Sequence, residues 1–157
     1  MLKKYLFIFF LSMVPVIELR GAIPFAVNWE LDYWTALTVC AIGNMLPVPF
    51  IYFFARKILH WGADKKYIGK FFRFCLEKGE RGGQKLVKKA GRSGLFLALM
   101  LFVGIPLPGT GAWTGTLAAS FLNMGIKSTA AAVSLGVVLA GIIMGLISVG
   151  AFSIIGL

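Results

Sequence analysis

Glu18 and Arg20 stand two residues apart in the stretch PVIELRGAIP (15–24), and they are the only charged side chains between Tyr5 and Asn28. Each costs about 2.5–3.5 kcal/mol at membrane depth on insertion scales, so such groups mark substrate or proton pathways by default. A guanidinium presents a planar fork of donors that grips phosphate or carboxylate. A carboxyl group in the same place carries a titratable proton. Arg20 is therefore a candidate anion ligand and Glu18 a candidate proton carrier. The plainer alternative is that both sit at an interface or pair with each other. Gly21 and Pro24, next to them, predict unwound backbone over 18–24 that lines a site.

A second stretch, PLPGTGAWTG (106–115), has the same character. Pro106 and Pro108 lack amide donors and leave carbonyls free in the turn before them. Gly109 and Gly111 allow a sharp turn and close backbone approach. Broken backbone at membrane depth survives only where it is buried in protein or faces water. Thr110, Thr114 and Thr116 supply hydroxyls there. A short helix beginning near Ala112 would aim its N-terminal amides into the cavity, where they suit an anion. The alternative is a surface turn between two ordinary spans. In GNMLPVPF (43–50), Asn44 is an amide at the middle of an apolar run and is either a site residue or packing glue between helices. Pro47 and Pro49 kink the helix just beyond it. His60 stands alone among basic residues. Cys40 and Cys75 form no CxxC and lie in unlike surroundings, so neither a disulfide nor a metal site is expected. No nucleophile–base arrangement is visible, and no enzyme, metal or cofactor is called for.

The elements that must hold these residues follow from composition. Of 157 residues, 59% are hydrophobic and 14% charged, against about 45–50% and about 25% in soluble domains. The chain is an integral membrane protein of one domain, 1–157. The apolar start MLKKYLFIFFLSMVPV is followed by Glu18 and Arg20 rather than a cleavage site, so it reads as a retained membrane segment. Net charge is +10, and the segment from Arg56 to Arg92 holds twelve Lys/Arg against Asp64, Glu77 and Glu80. Between two apolar halves this block reads as a cytoplasmic segment held on anionic lipid, in preference to a nucleic-acid site. Within it Ile68, Phe71, Phe72, Cys75 and Leu76 fall at helical spacing and predict an amphipathic helix at the headgroups, ended by Gly79, Gly82 and Gly83. A short basic helix through Leu86 and Val87 leads onward.

The apolar runs are 5–17, 22–29, 33–55, 94–105, 112–122 and 128–156. Only 33–55 and 128–156 reach the roughly 20 residues a spanning helix needs. The short runs come in pairs, each split by one of the two breaks. The halves 1–55 and 93–157 thus share an outline, with Gly21-Ala22 opposite Gly111-Ala112 and Gly43 opposite Gly136 when three residues slip. If each pair is a re-entrant hairpin, the segment 56–92 forces the second to enter from the side opposite the first. The expected fold is all-α: an inverted repeat of re-entrant hairpin plus transmembrane helix, with a central amphipathic cytoplasmic helix. The competing topology is four full spans. Gly141-x-x-x-Gly145 offers a small-residue face for packing on the hairpins or for a homodimer seam.

PVIELRGAIP, GNMLPVPF and PLPGTGAWTG, in that order, resemble the small multidrug export protein family of prokaryotic membrane proteins. That family is in turn distantly similar to the DedA superfamily. The resemblance implies two re-entrant hairpins in inverted repeats and a multi-pass protein of the prokaryotic inner (plasma) membrane. Some DedA relatives move polyprenyl phosphate carriers, and others are linked to proton-coupled export. Thr110 stands where many of them have an acid, and their second-hairpin arginine is echoed only by Arg20 in the first.

The sequence thus leads to a transporter or flippase with a midplane cavity between the hairpins. Arg20, Gly21, Asn44, Pro106, Pro108, Gly109, Thr110, Gly111 and Thr114 would contact substrate and Glu18 would couple a proton. The expected substrate is an anionic amphiphile such as a lipid phosphate, and the expected partners are membrane lipids. The alternatives are export of cationic drugs and a non-transporting membrane adaptor.

Overall fold

Proline sets where two of the helices stop. Val14 precedes Pro15, and Ile105 precedes Pro106. A residue before proline is pushed out of the helical region, and both adopt extended backbone (φ −72°, ψ 129° and φ −81°, ψ 119°). These two residues end α1 (Leu2–Met13) and α5 (Gly69–Gly104) in a computed structural model that describes residues 1–155. The other helices are α2 (Glu18–Asn28), α3 (Tyr33–Met45), α4 (Val48–Ala63), α6 (Ala112–Phe121) and α7 (Ile126–Ile155), and the described residues contain no strand.

The expected unwound stretch 18–24 is therefore displaced. The break lies at 14–17, and Glu18 to Pro24 are helical. Pro24 is accommodated inside α2, where its missing amide costs only the bond to the Arg20 carbonyl. A second expectation also fails. Gly79, Gly82 and Gly83 do not end the basic helix, and the stretch through Leu86 and Val87 is not a separate one. α5 runs through all of them and is interrupted at Gly91 (φ 71°, ψ 179°). A glycine inside a helix costs about 1 kcal/mol relative to alanine, which weakens the helix without breaking it. The Cys75 side chain and Gly156, the end of the run 128–156, lie outside what is described.

The helices are of two lengths. α1, α2 and α6 have 12, 11 and 10 residues, or roughly 15–18 Å at 1.5 Å per residue. A hydrocarbon core is about 30 Å thick. α3 and α4 join through Leu46 and Pro47, whose backbone stays helical, as a single kinked rod. Among the described residues, Tyr33–Ala63 and Ile126–Ala151 are the two helices long and apolar enough to cross a membrane.

The short helices fold back in pairs. Lys4 lies over the Trp29 ring, and Phe7 meets Phe25 and Trp29, so α1 and α2 are antiparallel. α5 beyond Gly91 pairs with α6 the same way, with Gly115 against Val103 and Leu99. The chain thus reverses direction at each break. The long rod of each half runs parallel to that half's first helix. Gly43 packs on the Phe9 carbonyl of α1, and Gly136 on the Met100 carbonyl of α5. A Cβ at either position would sit 2.6 or 2.7 Å from that oxygen, so only glycine permits the approach. The rods α3 and α7 are antiparallel to each other: Tyr33 reaches Gly145 and donates to the Gly141 carbonyl at 3.0 Å, while Ser134 meets Met45 at the other end. Gly141 and Gly145 therefore face Leu19, Leu37 and Tyr33 of the same chain. The contacts across the halves also correspond, α2 packing on α7 and α6 on α4.

The basic arm of α5 returns against α4. The Phe72 ring covers Gly62, and Arg73 Nε donates to the Ala63 carbonyl at 2.9 Å. Tyr67, Ile68, Phe71 and Phe74 stay exposed beside the lysines.

Candidate functional site at the hairpin tips

The two reversals meet. Val16 and Glu18 both have positive φ (75° and 51°), a conformation that costs an L-residue about 1–2 kcal/mol. This tight turn points the Glu18 side chain across to the other hairpin. Its carboxylate accepts from the Ala112 amide at 3.1 Å and the Trp113 amide at 3.0 Å. These are the first amides of α6, which have no partner within the helix. Glu18 thus caps a helix 94 residues away and sits where the macrodipole favours negative charge. Gly111 makes room, since a Cβ there would collide with the carboxylate. Glu18 is 4% exposed.

Arg20 does the converse job. Nη1 donates to the Leu107 carbonyl at 2.7 Å, and Nη2 to Val103 at 2.9 Å and Ile105 at 3.3 Å. It gathers the Val103 carbonyl in the last turn of α5 and two carbonyls of the turn that follows. The Trp113 indole donates to the Met13 carbonyl at 3.2 Å, closing the end of α1. The Thr110 hydroxyl bonds the Ile105 and Leu107 carbonyls at 2.9 and 2.8 Å and shapes the second turn. Glu18 and Arg20 do not form an ion pair with each other; among the described residues the ion pair is Glu77–Arg81.

Beside this lattice lies a cavity of about 500 Å³. Glu18, Arg20, Pro106, Pro108, Gly109, Thr110 and Thr114 are among the residues that line it. Gly111 stands at its edge as the N-cap of α6. Two expected ligands are elsewhere. Gly21 lies within α2 facing Ile17, because the break starts earlier than expected. Asn44 is buried in α3, its Oδ1 without a hydrogen-bond partner, and does not reach the cavity. The α6 amides expected to receive substrate are occupied by Glu18. Pro15, Val16, Leu107, Trp113, Leu117 and Met144 complete the wall, and none of them is among the residues expected from the sequence. Trp113 lies inside the motif PLPGTGAWTG, where its amphipathic ring was the available signal.

The family model described as "Putative small multi-drug export protein" matches residues 18–143. The chain belongs to that family. The matched span begins at Glu18 and contains both charged residues of the site and the whole second turn. No curated protein and no solved structure matches the chain. Family membership and the two long apolar helices make this a membrane protein.

Proposed function

We propose that the protein is a proton-coupled transporter of the inner membrane that moves an anionic amphiphile, such as a lipid phosphate, through the cavity at the hairpin tips. The observation that carries the reading is Glu18 on the α6 amides. Its carboxylate occupies the seat that a substrate phosphate or carboxylate would take, within a cavity also lined by Arg20. Glu18 acts as a tethered stand-in for the substrate's anion. Protonation removes its charge and weakens its hold on the helix terminus. The incoming anion then takes the amides and draws Arg20 from its carbonyls, so that one proton and one anionic group are taken up together without covalent chemistry. Apolar walls from Val16, Leu107, Leu117 and Met144 suit the substrate's tail.

The topology that goes with this is an inverted repeat of two re-entrant hairpins, each followed by a crossing helix, with segment 56–92 cytoplasmic. The short length of α1, α2 and α6, the reversal at each break and the antiparallel α3 and α7 support it. The same plan is that of the DedA proteins the motifs resemble. A second reading, export of lipophilic cations, is favoured by the family's description. There Glu18 would be the exchanged carboxylate.

Purified protein in liposomes, under an imposed pH gradient, separates the two. The expected result is transport of a lipid phosphate that follows the gradient and loses that dependence in Glu18→Gln. Transport of a lipophilic cation with none of the lipid phosphate would overturn the anionic reading in favour of drug export. Transport of neither would leave a membrane adaptor.

A further inference from the structure

The far end of the α5–α6 hairpin carries a second cavity, of about 420 Å³, lined by Arg92, Leu95, Asn123, Lys127 and Ser128 among others. It lies at the base of the hairpin, roughly 18 Å from the tips by helix rise over Arg92–Gly104. No carboxylate lines it. A third cation is adjacent, since Arg56 Nη2 donates to Asn123 Oδ1 at 2.5 Å. The first turn of α7 also opens here, through Gly125, Lys127 and Ser128. Cationic side chains, a hydroxyl and a helix N-terminus on one concave surface together suit a phosphate.

The cavity does not end in protein. A second hollow, of about 180 Å³, is lined wholly by apolar residues, including Ala98, Leu99, Phe102 and Ala118. It shares Leu95, Leu122 and Met124 with the basic cavity. It therefore continues from the basic pocket along the seam between α5 and α6 toward the tips. The alanines on the two helices keep this seam open. A basic pocket that runs into an apolar groove has the shape and polarity of a phospholipid: charged headgroup at the base, acyl chain along the hairpin.

We propose that the base of the α5–α6 hairpin is a binding site for an anionic phospholipid, its phosphate held by Arg92 and Lys127 and one acyl chain laid in the groove past Ala98 and Phe102. The site is separate from the tip cavity and does not depend on what that cavity transports. A bound chain would fill the groove of a hairpin whose helices are too short to cross the bilayer.

Native mass spectrometry of the purified chain, titrated with phosphatidylglycerol and with phosphatidylcholine, tests this. We expect phosphatidylglycerol to bind at least about tenfold more tightly, a difference of about 1.4 kcal/mol. Arg92→Gln with Lys127→Gln should abolish the preference. Ala98→Phe, at an exposed position that tolerates the bulk, should weaken both lipids by filling the groove. Glycerol 1-phosphate, which has the head without the tails, should fail to compete. Equal affinity for the two lipids in the wild-type chain would overturn the proposal, as would a preference unchanged in the double variant. Full competition by glycerol 1-phosphate would show a site for free phosphate and overturn it as well. Should the double variant yield no folded protein, displacement of phosphatidylglycerol from the wild-type chain by phosphatidylcholine at equal concentration would overturn it too.

Discussion

At the scale of single residues, Glu18 and Arg20 hold two different helix ends, and their variants should behave accordingly. Arg20→Ala leaves the Val103 carbonyl without its donor, removes two further charge-assisted bonds, and should lower stability by about 2–3 kcal/mol, as for loss of charged hydrogen bonds. Glu18→Ala uncaps α6 and should cost about 1–2 kcal/mol. Because neither charge is the other's hydrogen-bond partner, removing both should cost more than removing either and should not restore stability. Thermal unfolding in detergent of both single variants and the double variant checks this. A double variant more stable than Arg20→Ala would mean that the two residues pair after all. The sequence marked these residues as a site by the expense of charge in an apolar run. It could not give their partners. Those lie 83 to 95 positions away, and local spacing carries no information about them. Asn44 shows the reverse. Its depth was legible, but which way the helix faces it depends on packing, and it faces protein.

At the scale of elements, the two close approaches at Gly43 and Gly136 should be equally intolerant. In each a first helix presses a carbonyl onto the long rod of its half. Alanine at either position forces the helices apart and should cost about 1–3 kcal/mol, the usual penalty of overpacking. Gly125→Ala and Gly150→Ala, where a Cβ meets nothing within 4 Å, serve as controls. Melting temperatures that fall for Gly43→Ala and Gly136→Ala but not for the controls are the expected pattern. Element boundaries were less readable than element existence. All the apolar runs became helices, and Pro47 kinks the first rod where expected. The first break falls earlier than Gly21 and Pro24 suggest, because Pro15 ends α1 at Val14. The rule that the residue before proline leaves the helix already pointed to Val14. The basic helix was cut short because three glycines looked like a stop, whereas glycine stops a helix only when it takes a left-handed conformation, as Gly91 does.

At the scale of the whole molecule, topology is the open quantity, and it has a direct readout. A cysteine at Lys88 in a background without Cys40 and Cys75 should not react with an impermeant thiol reagent added to intact cells. A protease-sensitive tag before Met1 should be cut in intact spheroplasts, because a re-entrant first hairpin returns to the side it entered and leaves the N-terminus outside. Labelling of Lys88→Cys from outside, or protection of the tag in active protein, would sink the proposed orientation. The membrane class was legible from composition alone, since 59% hydrophobic content leaves little else. The correspondence of the halves was legible only in outline, because helix pairing and not residue identity carries it.

The bracing of the tips bears on how the chain is made. When residues 1–55 leave the ribosome, Glu18 and Arg20 enter the bilayer with no partners. The carbonyls of 103–107 and the amides of 112 and 113 do not yet exist. For the time it takes to translate the basic segment and the start of the second half, the first hairpin carries two bare charges. It must shelter in the insertion machinery or ride at the surface until the second hairpin emerges. On the proposed topology the second half would therefore complete the insertion of the first, and the two hairpins would insert as a concerted event and not as a succession of independent spans.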